Sequence, residues 1–266
     1  MSEKERRVAD FILAAPREAV HPSIEELALR IGVSESTLFR FVRKIGYEGY
    51  QQFRIALATE TIEPNARFYD APVVSADGET ALSVVFKTAI SALELTMKGL
   101  DGHSLEQAAE LIVGARSVLF LGLGGSGLVA RDAYHKLIRT GIRGSAPEDF
   151  HLQLMAASQA GPEDVALIVS HTGANKDTLA LANELKQAGT PIIAITTYPR
   201  SPLAKLVDFI LVSATPSSPY ASEAFSARIA QLAIVDSLYV EVIERRGETG
   251  VKNLEGMRAA IAKRRT

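Results

Sequence analysis

Residues 117–127 read SVLFLGLGGSG. A short aliphatic run enters a glycine cluster directly, and a helical pattern then continues through Leu137. This is the opening of a βα unit: a buried strand, a turn that demands glycine, and a helix whose N-terminus faces that turn. Further runs repeat the theme at Val165–Ser170, Pro191–Thr196 and Phe209–Ser213, each bounded by Gly, Pro or Ser and followed by helical periodicity. Residues 141–147 supply a weaker candidate between the first two runs. Short aliphatic strands alternating with helices predict a parallel sheet with helices on both faces.

Ahead of this pattern, Glu79–Gly99 places Leu82, Val85, Phe86, Ala89, Leu93 and Met97 at helical spacing, and a second helix is expected over Ser104–Val113. Residues 59–78 contain Pro64, Asn65, Pro72 and Gly78 and read as a linker. Before the linker, residues 1–58 carry only helical patterns. The expected organisation is an all-α domain over 1–58, a linker over 59–78 and an α/β domain over 79–266. The tail from Met257, with Arg258, Lys263, Arg264 and Arg265, reads as a solvated end.

Composition narrows the function classes. The 266 residues are 47% hydrophobic and 23% charged, with a formal net charge of −2. A disordered or collagen-like chain is excluded, and no apolar run is long enough to span a bilayer. Cysteine is absent, which removes disulfides, zinc thiolate sites and thiol catalysis. The opening MSEKERRVADFIL has no signal-peptide character and fits a cytoplasmic address. His21, His103, His135 and His151 show no metal-ligand spacing, so no metal is expected. The near-neutral charge offers no global attraction to nucleic acid, and any DNA-binding face must be local.

Such a face is legible near the N-terminus. Ser23 and Glu26 form a capping box opening a helix with Ile24, Leu27, Ala28 and Ile31 on one side. Gly32 breaks it, Val33 plugs the turn, and Ser34 caps a second helix in which Leu38, Phe41, Val42 and Ile45 are expected to face inward. Ser36, Thr37, Arg40, Arg43 and Lys44 are then left facing out. Ser34, Ser36, Thr37 and Arg40 stand near the N-terminal end, where a recognition helix meets base edges; Arg43, Lys44 and the later Arg54 suit phosphates. The stretch SIEELALRIGVSESTLFRFVRKIGYEGYQQFRIAL resembles the N-terminal domain of RpiR-type bacterial transcriptional regulators. The resemblance rests on the SI-x-ELA opening, the GVS turn, the RF-x-RK run and the exit through Tyr47, Gly49, Tyr50 and Phe53. It implies that these last four residues close the domain core.

The α/β region carries two glycine-bearing loops. GLGGSG, Gly122–Gly127, matches the dinucleotide fingerprint, with Glu148 and Asp149 where a ribose-binding acid belongs. A repressor that senses NAD(H) is therefore one reading. The next strand ends in SHTGANKD, Ser170–Asp177, where two hydroxyls, a glycine and a short polar side chain make a second anion nest with His171 inside it. A dinucleotide domain has no need of a second cradle there, whereas a phosphorylated sugar does.

Residues 79–246 resemble the SIS (sugar isomerase) domain through GLGGSG, SHTGANKD, TTYPRSPLAKLVD and SEAFSARIAQLAIVDSLYV. The resemblance implies a five-stranded parallel sheet between helices, hence an α/β chain whose C-terminal domain has three α/β/α layers. It also implies phosphosugar binding at the strand ends, with Gly124, Ser126, Ser170, His171, Thr172, Gly173 and Asn175 around the effector and Glu223 on a sugar hydroxyl. Thr172 stands where serine is commoner, and the hydroxyl is retained. An aldose–ketose isomerase needs a carboxylate or histidine as base, but neither Glu223 nor His171 sits in a recognisable catalytic motif. A DNA-reading head joined to a phosphosugar pocket instead implies a transcriptional regulator of carbohydrate metabolism. No catalytic residue and no cofactor beyond the effector are expected. The expected partners are double-stranded operator DNA, a phosphorylated sugar and further copies of the chain, as a homodimer or homotetramer.

Overall fold

The computed structural model describes residues 3–20, 22–47, 49–61, 80–216 and 223–264. The chain divides into two compact units, Met1–Arg67 and Phe68–Thr266.

The first unit contains helices α1 (Glu3–Ala14), α2 (Pro16–Val20), α3 (Ile24–Ile31), α4 (Glu35–Lys44) and α5 (Tyr50–Thr61). Both halves of the capping box are formed: Ser23 Oγ accepts the Glu26 N–H at 3.1 Å and Glu26 Oε2 accepts the Ser23 N–H at 2.9 Å. Gly32 ends α3 at φ 74°, and its amide and that of Val33 both return to Ala28 O. That left-handed residue sets the sharp entry to α4 and explains why glycine stands there. Val8, Leu27, Leu38, Val42 and Phe53 build the core between the helices. Tyr50 is buried in it, and its hydroxyl donates to Pro22 O at 3.1 Å. Burial pushes its phenol pKa up to about 12. Tyr47 meets Phe53 edge-on at 5.5 Å, so the expected closing cluster is formed. Ile45 departs from expectation: α4 ends at Lys44, and Ile45, as its C-cap, is exposed.

Helix α5 continues through Thr61, so the expected linker begins inside a helix; residues 62–79 lie outside the described residues.

The second unit opens with α6 (Ala81–Gly99) and α7 (Gly102–Gly114), followed by β1 (Val118–Gly122), α8 (Gly125–Leu137), β2 (Gly144–Ser145), α9 (Phe150–Ser158), β3 (Val165–Val169), α10 (Lys176–Gln187), β4 (Ile192–Thr196), β5 (Phe209–Val212) and α11 (Glu223–Ala262). The sheet order is β2-β1-β3-β4-β5 and every pairing is parallel. The four expected runs are strands to within about one residue at each end, and the weaker candidate contributes only two paired residues at the edge. Side chains alternate between the two faces of the sheet. Val118, Phe120, Leu167 and Val169 pack under α7, α8 and α11, while Leu119, Leu121, Ala166 and Ile168 pack under α9 and α10. Both faces are thereby covered, as an all-parallel sheet requires.

The apolar stripe of α6 does not enter the core: Leu82, Val85, Phe86, Leu93 and Met97 are exposed, and the buried side is Val84, Ala92 and Thr96. These smaller residues suit the close approach of α6 to α11, and Thr96 Oγ1 accepts the Ala214 N–H at 2.8 Å. The tail from Met257 is helical through Ala262, and Arg258, Lys263 and Arg264 on it are exposed, as expected of a solvated end. Helix α11 runs on through a kink at Gly247, and beyond the kink Asn253 Nδ2 donates to Thr140 O at 3.1 Å. No helix among the described residues is long and apolar enough to cross a membrane.

Candidate functional site

The exposed face of α4 carries Ser36, Arg40, Arg43 and Lys44, as expected from the spacing. Thr37 does not belong to it. Its side chain is buried, and its hydroxyl lies 2.8 Å from Ser34 Oγ. Ser34 Oγ also accepts the Thr37 N–H at 3.3 Å and lies 3.0 Å from Ser36 Oγ. Ser34 and Thr37 thus fasten the N-terminus of α4, a local use that an i, i+3 hydroxyl pair at a cap makes natural. Arg40 Nε donates to Ser36 O at 3.3 Å, which leans the guanidinium along the helix. Lys44 Nζ pairs with Glu5 Oε2 at 3.0 Å, tying α4 to α1. Arg54 is half-buried with its guanidinium 5.9 Å from the Tyr50 ring centre, so it packs on the core rather than standing clear. Phe39 was not singled out from the sequence, yet it is exposed on the α4 face beside Arg40. The signal was available: an inward set of 38, 41 and 42 leaves 39 outside.

In the α/β unit the sheet order reverses between β1 and β3. β2 lies on one side of β1, and β3, β4 and β5 extend from the other. Gly122 pairs with Val169, so the loops leaving β1 and β3 start side by side at the carboxyl edge. Such a switch point is where open parallel sheets present a ligand crevice.

The first loop is the GLGGSG segment. Gly124 takes φ 54° and is the N-cap of α8, with no side-chain cap. The Ser126 and Gly127 amides return to Leu123 O, closing the turn. The Gly124 and Gly125 amides and the Ser126 hydroxyl have no acceptor or donor within the chain among the described residues. Open amides at a helix N-terminus, beside an unengaged hydroxyl, are a place for an anion. Gln153, nearly wholly buried in α9, braces the loop. Its Oε1 accepts the Gly122 N–H at 3.2 Å, and its Nε2 donates to Gly122 O at 2.9 Å and Pro147 O at 3.0 Å. Nothing in the sequence around Gln153 marks it, because its partners are backbone atoms 31 and 6 positions away.

The second loop follows β3. Ser170 Oγ accepts the Gly173 N–H at 3.2 Å, and Thr172 Oγ1 accepts the Ala174 N–H at 3.3 Å. Asn175 caps α10, its Oδ1 accepting from Asp177 and Thr178, which leaves only its amide NH2 facing outward chemistry. Gly173 stands at φ 61° against Ser201, and a Cβ there overlaps Ser201 Oγ. Its carbonyl accepts the Leu203 N–H at 2.9 Å. Glycine is required here by both backbone angle and space. His171 Nδ1 lies 2.9 Å from Thr197 Oγ1, which lies 2.9 Å from Ser213 Oγ, so hydroxyls at the ends of β4 and β5 orient the ring. Tyr198 meets the same ring edge-on at 5.8 Å. Thr197, Ser201 and Ser213 were not singled out from the sequence, since a lone hydroxyl after a strand is common.

Glu223 begins α11, and its side chain lies outside the described residues. The acids that a dinucleotide reading needs are otherwise engaged. Asp149 caps α9 through the His151 and Leu152 amides, and Glu148 pairs with Arg131 at 2.7 Å. Among the described residues no group of three or more His, Cys, Asp or Glu side chains is placed to hold a metal ion.

Comparison with known proteins agrees with both halves of this description. A helix-turn-helix domain of the rpiR family matches residues 1–64, and the SIS domain matches residues 111–241. The chain is 34% identical over 248 residues to the HTH-type transcriptional regulator HexR of Pseudomonas aeruginosa, covering 93% of this chain and 86% of that one. The solved structure of Vibrio vulnificus NanR complexed with ManNAc-6P superposes with TM-score 0.71 at 29% identity, over 99% of this chain and 94% of that one. The sugar isomerase domain of an RpiR transcription factor from Sphaerobacter thermophilus covers 68% of this chain and 99% of its own length, at TM-score 0.62 and 26% identity. The relatives matched along nearly their whole length are transcriptional regulators, not enzymes. A capped helix-turn-helix followed by a five-stranded SIS domain, and a match that runs through both, make the chain a member of the RpiR family of helix-turn-helix transcriptional regulators.

Proposed function

We propose that this regulator controls genes of carbohydrate metabolism and that its affinity for operator DNA is set by a phosphorylated sugar held between the β1 and β3 loops. The observation that carries the reading is the pair of adjacent strand-end loops, the first with open amides and an unengaged hydroxyl and the second with the Ser170 and Thr172 hydroxyls accepting from their own loop and keeping their hydrogens to donate, in a chain whose other unit is a DNA-reading head. Gly124 and Ser126 from the first loop, and Ser170, His171, Thr172, Gly173 and Asn175 from the second, form the effector site. The phosphate sits against the two helix N-termini, and Glu223 meets the sugar. The NanR complex with ManNAc-6P supports the ligand class. The engaged Asp149 and Glu148 disfavour NAD(H).

On the DNA side, Ser36, Phe39 and Arg40 face the bases and Arg43 the phosphates, with Lys44 joining after release from Glu5. Residues 59–78 act as the connection between units. Two copies pair through the second unit, presenting two heads to half-sites about 10 bp or a multiple of that apart. The ligand acts by binding two arrangements of the assembly unequally.

The test is a thermal-shift panel on the full chain with hexose, pentose and amino-sugar phosphates, NAD, NADH and inorganic phosphate, followed by operator titrations with and without any stabiliser found. A ligand at a hundred times its Kd adds about 2.7 kcal/mol, enough to move the melting temperature by several degrees. Stabilisation by one sugar phosphate, with a change in DNA affinity, is the expected result. Stabilisation by the nicotinamide cofactors alone overturns the reading.

A further inference from the structure

We propose that Arg228 of α11 is part of the effector site and supplies the counter-charge for the anion at the GLGGSG loop. The inference rests on the phosphosugar reading above and adds a residue that neither glycine loop contains.

A Cβ placed on Gly125 lies 2.9 Å from Arg228 Nη2, so the guanidinium is pressed against the first turn of α8. Arg228 is half-buried, and among the described residues it has no carboxylate partner and makes no hydrogen bond. The Arg131, Lys136 and Arg245 cations, by contrast, are each paired with an acid. A helix N-terminus carries roughly half a positive charge, and its leading amides here are open. A guanidinium held beside it without an acid sets like charges together, an arrangement that is unfavourable alone and favourable around an anion. Three residues along the same face of α11, Gln231 is 2% exposed and its amide NH2 has no acceptor among the described residues. Arg228 and Gln231 therefore offer donors without acceptors, matching a phosphate monoester, which offers acceptors.

The backbone explains how a residue about a hundred positions from the loop reaches it. α11 packs along α8, and Ala227 and Ala230 bury on either side of Arg228, so small side chains let the helices close and leave the long arginine to extend to Gly125. The glycine at position 125 is then a matter of room for Arg228 rather than of backbone angle.

The experiment uses full-length wild type, Arg228→Ala and Arg228→Lys, each titrated with the sugar phosphates of the panel and with inorganic phosphate at several salt concentrations. For the sugar phosphate that stabilises wild type, Arg228→Ala is expected to weaken binding by about tenfold to a hundredfold and to flatten its salt dependence, with Arg228→Lys recovering part of both. Without ligand, Arg228→Ala is expected to melt at the wild-type temperature or above, because the like-charge contact with α8 is gone. Equal ligand affinity in wild type and Arg228→Ala overturns the proposal while leaving the phosphosugar reading intact. So does a ligand-free melting temperature lowered by several degrees in Arg228→Ala with ligand affinity unchanged, which is the mark of a packing role. If no sugar phosphate stabilises wild type, the phosphosugar reading fails and the role of Arg228 fails with it. Should Arg228→Ala not fold, Arg228→Gln takes its place: it keeps most of the side chain and removes the charge, and undiminished affinity and salt dependence in it overturn the proposal.

Discussion

Gln153 and Gly122 exchange hydrogen bonds in both directions, the side-chain amide of one mimicking a strand partner for the backbone of the other. β1 needs such a partner because β2 contributes only two paired residues, Gly144 and Ser145, and leaves the carboxyl end of β1 uncovered on that side. The glycine loop thus leaves a strand whose last residue is clamped on one side by β3 and on the other by a single glutamine.

Replacing that glutamine by leucine keeps its volume and removes both bonds. Gln153→Leu should lower stability by about 1–3 kcal/mol, since the N–H and the C=O of Gly122 both lose their buried glutamine partner. Amide exchange at Gly122 should rise by more than the global destabilisation accounts for. An unchanged exchange rate in a well-folded variant counts against the clamp.

At Gly173, alanine meets both a left-handed backbone and Ser201 Oγ. Gly173→Ala should cost about 1–3 kcal/mol and abolish the thermal shift produced by the sugar phosphate, because the Ser170–Asn175 loop no longer closes. Retention of the full ligand-induced shift would show that the loop does not bind in its present shape.

On α4, residues that look alike in sequence should separate by their surroundings. Arg43→Ala should reduce the slope of log affinity against log salt on duplex DNA by about 1, the value for one lost phosphate contact. Lys44→Ala should change it less, because Lys44 begins in an ion pair with Glu5. Thr37→Val should leave the slope alone and lower the melting temperature instead, its hydroxyl being turned to Ser34. Equal slopes for the Arg43 and wild-type proteins would sink the phosphate assignment.

The DNA-reading unit carries its own pH limit. Burial raises the Tyr50 phenol from its ordinary value of 10.0 to about 12 in the folded protein. A group whose folded pKa lies above its unfolded one contributes stability fully below the unfolded value. That contribution is lost as pH rises from 10 to about 12. Tyr50→Phe should therefore flatten the alkaline limb of stability, while costing about 1 kcal/mol at neutral pH for the hydrogen bond to Pro22. The check is a set of melts between pH 8 and pH 12 read at α-helical ellipticity.

The sheet was legible because each parallel strand is buried on both faces and so appears as an unbroken aliphatic run; Val165–Val169 is apolar at every position. The capping box and Gly32 turn were legible because their partners lie three to five residues apart. What escaped depends on distant neighbours. The exposed stripe of α6 has the same periodicity as a buried one, and only the small buried set, Val84, Ala92 and Thr96, tells which side α11 takes. Thr37 and Ser36 differ by one position on a helix, yet one hydroxyl is buried at the cap and the other exposed. The nearness of Arg228 to Gly125 has no sequence signal, because nothing in SARIAQL points to a residue about a hundred positions earlier.

The Asn253 contact to Thr140 O has a practical corollary for anyone shortening this chain. Thr140 ends the turn that feeds the chain toward β2, the minimal strand at one margin of the sheet. A fragment cut at the Gly247 kink keeps every SIS strand but strips the cover from that turn. The segment past the kink is in effect a brace for the turn that leads into β2, and fragments intended for crystallisation or calorimetry should run through Ala262.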